Sequence, residues 1–219
     1  MTEILEIGSI KIKTSDKVYI PEEDSFLLMK NLVDVNNKTV LDIGCGTGIQ
    51  SINALKKGAK LVVGIDINPL AVKLSLKNAR LNNCDLKRIF FFESDLFSRM
   101  PDILNELSEK GYNIKDFDVI LFNAPYLPTS EDEKLNDVLN YSFDGGFDGR
   151  KVLDKFIKEV GKYLSNDGIV QIVQSSLTDE GKTYKMLDKY GFKGKKVDSI
   201  KFFYEEIQII NFVRKNNPL

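Results

Sequence analysis

The sequence predicts an α/β fold in which a mostly parallel sheet is covered by helices on both faces. Short apolar runs rich in valine, isoleucine and leucine alternate with amphipathic helical segments along most of the chain. Strands that are buried on both faces need such apolar runs, and helices between them connect strands that run in parallel. Near the C-terminus the alternation stops, because two strand-like segments are separated by too few residues for a helix. Such neighbours pair in the antiparallel sense.

Seven segments are predicted to be strands of one sheet. The parallel strands are Thr39–Ile43, Leu61–Ile65, Ile89–Glu93, Val119–Phe122 and Ile169–Val173. The last two segments, Phe192–Ile200 and Glu205–Arg214, are expected to form an antiparallel hairpin at the end of the sheet. We therefore expect a Rossmann-like fold that departs from the ordinary dinucleotide-binding domain at this hairpin.

One helix has a well-defined predicted start. Asn68 is a residue type that caps helices, and Pro69 suits the first helical position. The apolar residues Val72, Leu76 and Ala79 then follow at helical spacing. We expect these three side chains to lie on the face that packs against the sheet.

The composition excludes several kinds of chemistry. The chain has no histidine, which rules out a Ser-His-Asp triad, a histidine general base and a histidine-ligated metal. Cys45 and Cys84 are too few for a zinc cage and too far apart for a CxxC pair, so no metal site is expected. The formal net charge of −1 gives no general attraction to phosphate backbones, so nucleic-acid binding is not expected, although a local basic patch is compatible with it.

Length and hydropathy predict one cytoplasmic domain. A chain of 219 residues suits a single compact unit, so residues 1–219 are expected to fold together. No stretch approaches the ~20 apolar residues that span a bilayer. The N-terminal Met-Thr-Glu-Ile-Leu-Glu also lacks the layout of a signal peptide. Membrane association is therefore not expected.

A glycine-rich loop follows the first parallel strand. Gly44, Gly46 and Gly48 allow a tight turn and a close approach of the backbone to a ligand. The loop lacks the Gly-Lys-Ser/Thr of a phosphate loop, and Ile49 stands where a dinucleotide-binding motif has its third glycine. Asp42, just before the loop, would repel a pyrophosphate but attract the ammonium group of a methionine moiety. The loop therefore favours S-adenosyl-L-methionine over NAD.

Acids also follow the next two strands. Asp66, twenty residues after Gly46, is expected to accept hydrogen bonds from ribose hydroxyls, with Ile67 against the adenine. Asp95 is expected to accept from the adenine amino group, with Leu96 beside it. Ligands of such sheets bind at the carboxyl ends of the strands, where these acids converge. With the terminal hairpin, this site predicts the class I methyltransferase form of the Rossmann-like fold.

The fourth strand runs into Asn123-Ala124-Pro125-Tyr126. This segment resembles the Asn-Pro-Pro-Tyr signature of methyltransferases that modify planar nitrogens in glutamine, adenine and guanine. The Asn123 oxygen, which also borders the cofactor, and the carbonyl at Ala124 would accept both N–H groups of the acceptor. Tyr126 would pack on the planar group. The resemblance implies that Asn123 and Tyr126 are catalytic and that all four residues bind substrate.

Ala124 departs from the usual motif, in which a proline stands at this place. The carbonyl acceptor survives the change, so activity is expected to be retained with looser positioning, but lost catalysis is the alternative. A second alternative is a simple proline turn after a buried strand, with asparagine as a turn former.

Further segments resemble the HemK-like protein-glutamine methyltransferases, in particular the short archaeal and eukaryotic branch that modifies class I translation termination factors. The matching segments are Val18–Leu28, Asp144–Arg150, Gln174–Leu177 and Phe203–Glu206. The resemblance implies that Tyr19 and Ser25 line the cofactor pocket, so that residues 1–38 contribute to it. It also implies a substrate, the glutamine of the Gly-Gly-Gln loop in a termination factor.

The family resemblance further implies a partner. Bacterial relatives grip the substrate with an extra N-terminal helical domain, which we do not expect here, and the short branch uses a small zinc-binding activator subunit instead. The apolar run Ile89, Phe90, Phe91 and Phe92 is expected at a sheet edge, where a partner can add a strand. The alternative is that helices cover both faces of this strand.

Two other functions compete with glutamine N5-methylation. One is N-methylation of an exocyclic amino group in RNA or DNA, because adenine presents the same planar nitrogen. The other is a catalytically impaired cofactor-binding partner protein, which only Ala124 favours.

Overall fold

The computed structural model describes residues 3–126 and 145–219. Its strands are β1 (Ile4–Ile7), β2 (Ile10–Lys13), β3 (Thr39–Ile43), β4 (Leu61–Asp66), β5 (Ile89–Glu93), β6 (Phe117–Asn123), β7 (Leu164–Ser175), β8 (Phe192–Lys201) and β9 (Glu206–Arg214). Its α-helices are α1 (Glu23–Lys30), α2 (Ile49–Lys56), α3 (Pro69–Leu81), α4 (Met100–Glu109), α5 (Lys151–Glu159) and α6 (Glu180–Lys189). Asp144, the first residue of one segment discussed above, lies outside this part of the chain.

The predicted seven-stranded sheet is confirmed. Its strand order is β5-β4-β3-β6-β7-β9-β8. Strands β3 to β7 pair in parallel, whereas β9 pairs antiparallel with both β7 and β8. This is the Rossmann-like methyltransferase arrangement, and it places β5 at one edge of the sheet, as expected.

Two apolar layers hold helices on the two faces of the sheet. On one face, Leu41 and Ile43 of β3 belong to a core cluster with residues of α4, α5 and α6. On the other face, Val40 belongs to a cluster with α2, α3 and β2. Because side chains alternate along a strand, β3 contributes to both layers and is buried on both faces. This explains why Val40, Leu41 and Ile43 are all apolar, although they belong to opposite faces of the strand.

The hairpin of β1 and β2 was not predicted, and the expectation that the strand at Thr39–Ile43 is the first in the chain is wrong. The pattern Ile-Lys-Ile-Lys in β2 buries Ile10 and Ile12 and exposes the lysines. The side chain of Asn78 on α3 accepts from Lys13 N at 2.9 Å and donates to its carbonyl at 3.0 Å. The hairpin is therefore held by packing and by an asparagine that lies far away in the sequence.

Helix α3 starts as predicted but is rotated relative to the expected face. The Asn68 side chain accepts from Leu70 N at 2.9 Å, which confirms the N-cap. Val72 and Leu76 are only half-buried. The buried residues are Ala71, Leu74, Ser75, Asn78 and Ala79. The polar members of this set serve the hairpin and the glycine loop, which a count of apolar positions does not detect.

None of the helices in residues 3–126 and 145–219 is long and apolar enough to cross a membrane.

Replacing Phe156 by alanine tests the core on the α5 side. The Phe156 ring is fully buried, and its centroid lies 4.7 Å from that of Phe122 and 5.8 Å from that of Phe97. We expect Phe156→Ala to lower the free energy of unfolding by about 3–5 kcal/mol, because a large cavity is left in a close-packed layer. Urea denaturation measures the change.

Lys158→Ala is the matched control, because Lys158 lies on the same helix and is exposed. It should change the free energy of unfolding by less than about 0.5 kcal/mol. An equal loss in both variants would show that the helix, and not the aromatic packing, is responsible.

Candidate functional site

A cavity of about 340 Å³ lies at the carboxyl ends of the parallel strands. Its volume is in the range of small-molecule sites. The predicted residues that line it are Tyr19, Ser25, Asp42, Gly44, Gly46, Asp66, Ile67, Asp95, Leu96, Asn123 and Pro125. Three predicted residues, Gly48, Ala124 and Tyr126, are not among the described residues of its wall. One cavity thus brings together residues of the N-terminal segment, the acids Asp42, Asp66 and Asp95, and part of the segment Asn123–Tyr126, which we call the acceptor segment.

The glycine loop takes the shape that only glycine adopts readily. Gly44, Gly46 and Gly48 have φ values of 65°, 55° and 82°, which lie in the left-handed region. Gly48 starts α2, and a Cβ at this position would lie 3.0 Å from the side chain of Ser75. Ser75 Oγ also donates to the Gly46 carbonyl at 2.9 Å. Gly48 therefore shapes the loop from behind, while Gly44 and Gly46 face the cavity.

Asp66 fixes the loop and remains an acceptor. Its Oδ2 accepts from Gly46 N and its Oδ1 from Asn68 N, both at 2.8 Å. Burial raises the pKa of the Asp66 carboxyl, and the two backbone N–H groups partly offset that rise. Each carboxylate oxygen has further acceptor capacity. Asp66 can therefore still accept hydroxyl hydrogens from the cavity, beside the exposed side chain of Ile67.

Asp42 is the most deeply buried acid of the site, with 2% of its surface exposed. Its Oδ2 accepts from Ser51 N at 3.0 Å and from Ser51 Oγ at 2.6 Å. Burial raises the pKa of Asp42 to about 7, although the Ser51 hydrogen bonds lower it, and the nearby Asp66 raises it slightly further. A cation in the cavity would stabilise the ionised form of this carboxyl.

Asp95 has a partner that the sequence did not predict. Lys155 Nζ lies 3.0 Å from Asp95 Oδ2, and both side chains are about half exposed. Lys155, Lys151 and Val152, all on α5, form the cavity wall on this side. Next to Asp95, the buried Leu96 has a φ of 46°, which is uncommon for a residue other than glycine. The chain therefore turns sharply here, and an ion pair holds the carboxylate at the rim.

The acceptor segment is organised around a buried acid, Asp24, which the sequence analysis did not single out. Asn123 Nδ2 donates to Asp24 Oδ2 at 2.9 Å, and Tyr126 donates to the same oxygen at 3.2 Å. The Tyr19 hydroxyl donates to Asp24 Oδ1 at 2.9 Å, and Ser25 N donates there as well. Burial, followed by the charge of Asp24, raises the pKa of both tyrosines well above the usual value. Both hydroxyls therefore stay protonated donors.

The Asp24 contact determines how the Asn123 amide is turned. A carboxylate accepts but does not donate, so it takes the NH₂ group of Asn123. Asn123 Oδ1 is buried and has no hydrogen-bond partner among residues 3–126 and 145–219. Because Asn123 lines the cavity, the segment offers an amide oxygen that needs a donor. A planar N–H₂ group is such a donor.

A helical pattern could have identified Asp24. Leu27 and Leu28 follow Asp24 at positions i+3 and i+4, so this acid shares the buried face of α1 with two leucines. A buried carboxylate among apolar residues needs partners, which marks it as a site residue. Gln50, a polar residue in the first turn of α2, is a second cavity residue that was missed.

The remaining residues of the acceptor segment lie at different depths. Ala124 is buried in the core cluster on the α4 and α5 side, so its methyl group serves packing. Tyr126 packs against the cluster formed by α1 and the ends of β7 and β9. A Cβ at Gly149 would lie 2.5 Å from the Tyr126 carbonyl oxygen, which explains a glycine there. Gly149 thus packs directly on the backbone of Tyr126.

In the part of the chain that the structure describes, no group of three or more histidine, cysteine or acidic side chains is arranged to hold a metal ion.

Comparison of the sequence with known proteins finds methyltransferases. The family model of ribosomal protein L11 methyltransferase (PrmA) matches residues 25–124. The relative named "Putative protein N5-glutamine methyltransferase MJ0928", from Methanocaldococcus jannaschii, is 53% identical over 208 residues, which are 95% of this chain and 98% of the relative. "Methyltransferase HEMK2" of Homo sapiens is 27% identical over 90% of both chains. A "Release factor glutamine methyltransferase" of Fusobacterium nucleatum is 33% identical over 74% of this chain and 45% of its own.

Solved structures share the fold at low sequence identity. The E. cuniculi Mtq2-Trm112 complex, described as methylating the eRF1 translation termination factor, contains a chain with a TM-score of 0.64 and 22% identity, covering 91% of this chain and 99% of that one. M. jannaschii TYW2 in complex with AdoMet has a TM-score of 0.60 and 17% identity, covering 97% and 86%. At these identities the likeness concerns the fold alone.

Proposed function

The chain belongs to the protein N5-glutamine methyltransferase family, whose members are S-adenosyl-L-methionine-dependent N-methyltransferases, and on that premise we propose that it methylates the Gly-Gly-Gln glutamine of a translation termination factor. The observation that carries this proposal is the buried oxygen of Asn123, a cavity-lining residue, which has no hydrogen-bond partner in the described part of the chain. A glutamine side chain presents the planar N–H₂ group that this oxygen needs.

The acceptor groups in the cavity fit S-adenosylmethionine. The cofactor carries an ammonium, ribose hydroxyls and an adenine amino group, and each of these can donate hydrogen bonds. The cavity offers one acid for each: Asp42 for the ammonium, Asp66 for the ribose and Asp95 for the adenine amino group. Gly44 and Gly46 allow close approach, and Tyr19, Ser25, Ile67 and Leu96 complete the wall. When bound, the cofactor supplies a methyl group activated by a positively charged sulfur.

The chain's own residues hold and orient the acceptor. An amide nitrogen is a poor nucleophile because its lone pair is delocalised. Asn123 Oδ1 accepts one N–H and the carbonyl of Ala124 accepts the other, which turns the nitrogen toward the cofactor and stabilises positive charge as it develops. Pro125, which lines the cavity, packs on the planar group, and Tyr126 adjoins it outside the described cavity wall. Asp24 acts through Asn123 and Tyr126 as a positioning residue.

The substrate is supported by the relatives. Several are named release factor glutamine methyltransferases, and the E. cuniculi complex is described as acting on a termination factor. A small partner protein is also part of the proposal. The described strands pair β5 only with β4, so that the other edge of β5 is available to a partner strand. The zinc-binding nature of that partner is what the family resemblance implies.

The side chains of β5 agree both with a partner strand at this edge and with the alternative that helices cover the two faces of the strand. Ile89 is buried, whereas Phe90, Phe91 and Phe92 are half-buried against the two core layers. Helices therefore cover the faces in part, and the phenylalanines retain surface that a partner can bury. A strand added at this edge would extend the sheet and complete the cover.

Transfer of labelled methyl from S-adenosylmethionine to a termination factor tests the proposal directly. We expect label on the wild-type factor, none when the Gly-Gly-Gln glutamine is replaced, and more label when the small partner is added. Label in bulk RNA or DNA would move the function to an exocyclic amino group. Cofactor binding without transfer to any acceptor would indicate a catalytically impaired protein and implicate Ala124.

Asn123→Ala and Asp66→Ala separate transfer from cofactor binding. Asn123→Ala removes the acceptor oxygen, so kcat should fall by about 100-fold or more, while affinity for S-adenosylhomocysteine stays within a few-fold. Asp66→Ala should instead weaken that affinity by about tenfold or more, because charge-assisted hydrogen bonds are lost. Isothermal titration calorimetry and single-turnover assays measure the two effects. An Asn123→Ala protein that loses cofactor binding together with activity would contradict the proposed role.

Cofactor affinity should depend on pH through Asp42. Burial raises its pKa to about 7, so the carboxyl is protonated below that pH in the free protein. An ammonium favours the ionised form, and binding therefore requires loss of a proton at low pH. Affinity for S-adenosylhomocysteine should fall by up to about tenfold for each pH unit below 7. Calorimetry on Asp42→Asn is the control, and it should lack this component; an unchanged pH dependence would exclude Asp42 as its source.

A further inference from the structure

The cavity wall contains a buried amide, Gln50, that neither the motif nor the proposed roles use. Gln50 lies in the first turn of α2 and is 4% exposed. Its Nε2 donates to the carbonyl oxygen of Ser25 at 2.8 Å. Its Oε1 is buried and accepts no hydrogen bond from residues 3–126 or 145–219. A buried amide oxygen that accepts no hydrogen bond destabilises the folded protein unless a ligand supplies a donor.

The Ser25 contact fixes the orientation of this amide. A backbone carbonyl accepts but does not donate, so it takes the NH₂ group of Gln50 and leaves Oε1 as the acceptor on the other side. Of the described side chains with a buried, unpartnered polar atom, only Asn123 and Gln50 line the cavity. Asn123 serves the methyl acceptor in the proposed function. Gln50 Oε1 is therefore available as a hydrogen-bond acceptor for the cofactor.

The position of Gln50 indicates which group it meets. The next residue along α2, Ser51, donates from N and Oγ to Asp42 Oδ2, so Gln50 directly precedes the residue that holds this carboxylate, and Gln50 and Asp42 both line the cavity. Asp66 and Asp95 lie at the ends of other strands, toward the proposed ribose and adenine. Asp42 Oδ2 already accepts two hydrogen bonds from Ser51. An ammonium has three N–H donors and needs acceptors besides this carboxylate.

We propose that Gln50 Oε1 accepts a hydrogen bond from the ammonium group of the cofactor's methionine moiety, beside Asp42. This assignment rests on the proposed function only in taking the ligand to be S-adenosylmethionine. Gln50 then acts as a specificity residue: it favours ligands that carry the amine and does not affect ligands that consist of the adenosine half alone.

Calorimetric binding of three ligands to Gln50→Met tests the proposal. S-adenosylhomocysteine carries the ammonium, its deaminated analogue lacks only that group, and 5′-methylthioadenosine lacks the whole amino-acid part. Methionine keeps the length of the side chain but loses the oxygen. We expect affinity for S-adenosylhomocysteine to fall by about tenfold or more, and affinity for the other two ligands to stay within about twofold.

Two further variants keep the result interpretable. Gln174→Met is the matched control, because Gln174 is fully buried, donates to the Thr178 carbonyl at 3.2 Å, has an unpartnered Oε1, and does not line the cavity. It should leave all three affinities within about twofold. Gln50→Glu retains an acceptor oxygen and should bind S-adenosylhomocysteine about tenfold more tightly than Gln50→Met.

The outcomes separate this inference from the proposed function. Unchanged binding of S-adenosylhomocysteine by Gln50→Met, or an equal loss for all three ligands, would overturn the role of Gln50, the latter by showing that only the Ser25 contact matters. Equal binding by Gln50→Glu and Gln50→Met would overturn it as well. The selective loss, in a protein that fails to methylate any termination factor, would leave the inference standing and refute the proposed substrate.

Discussion

The need of one buried carboxylate for hydrogen-bond donors organises the acceptor side of the site. Asp24 is 5% exposed and receives donors from both the N-terminal segment and the acceptor segment. A charge in such a place is tolerated only when its oxygens are satisfied. The hydrogen bonds to Asp24 therefore join the N-terminal segment and α1 to the end of β6. The same contact leaves the Asn123 oxygen without a hydrogen-bond partner among the described residues, and this is the oxygen to which the proposed function assigns the acceptor amide.

The cofactor side depends on a related balance. Burial raises the pKa values of both Asp42 and Asp66, and the charge of Asp66 raises the pKa of Asp42 further. Backbone and hydroxyl donors, from Gly46 and Asn68 on one acid and Ser51 on the other, offset part of this cost. A cationic ligand would offset more of it, which is the physical basis for the proposed placement of the cofactor's ammonium beside Asp42. The two buried acids thus cost stability in the free protein, and in the proposed function they favour a ligand that carries a positive charge.

The strands of the sheet could be predicted because both of their faces are buried. Burial on both faces favours successive apolar residues, as at Val40 and Leu41 of β3, and such runs are visible without knowledge of what they pack against. The β1–β2 hairpin and the exact face of α3 were missed for the opposite reason. Their positions depend on Asn78, which bonds to the backbone of Lys13, and on Ser75, which bonds to the glycine loop. Polar side chains that hydrogen-bond to backbone groups distant in the sequence produce no hydrophobic periodicity from which they could be predicted.

The sequence by itself determined the order along the chain of the seven strands of the main sheet, the glycine loop, the three acids at strand ends and the Asn-Ala-Pro-Tyr segment. These features are local, because each consists of adjacent residues whose chemistry is fixed by their type and by the strand they follow. Only the tertiary structure decided that Asp24 orients Asn123, that Lys155 pairs with Asp95 and that Gln50, a cavity residue, has a buried oxygen with no partner among the described residues. Those are contacts between segments up to 99 residues apart, and the direction in which an amide faces follows from its partners in space.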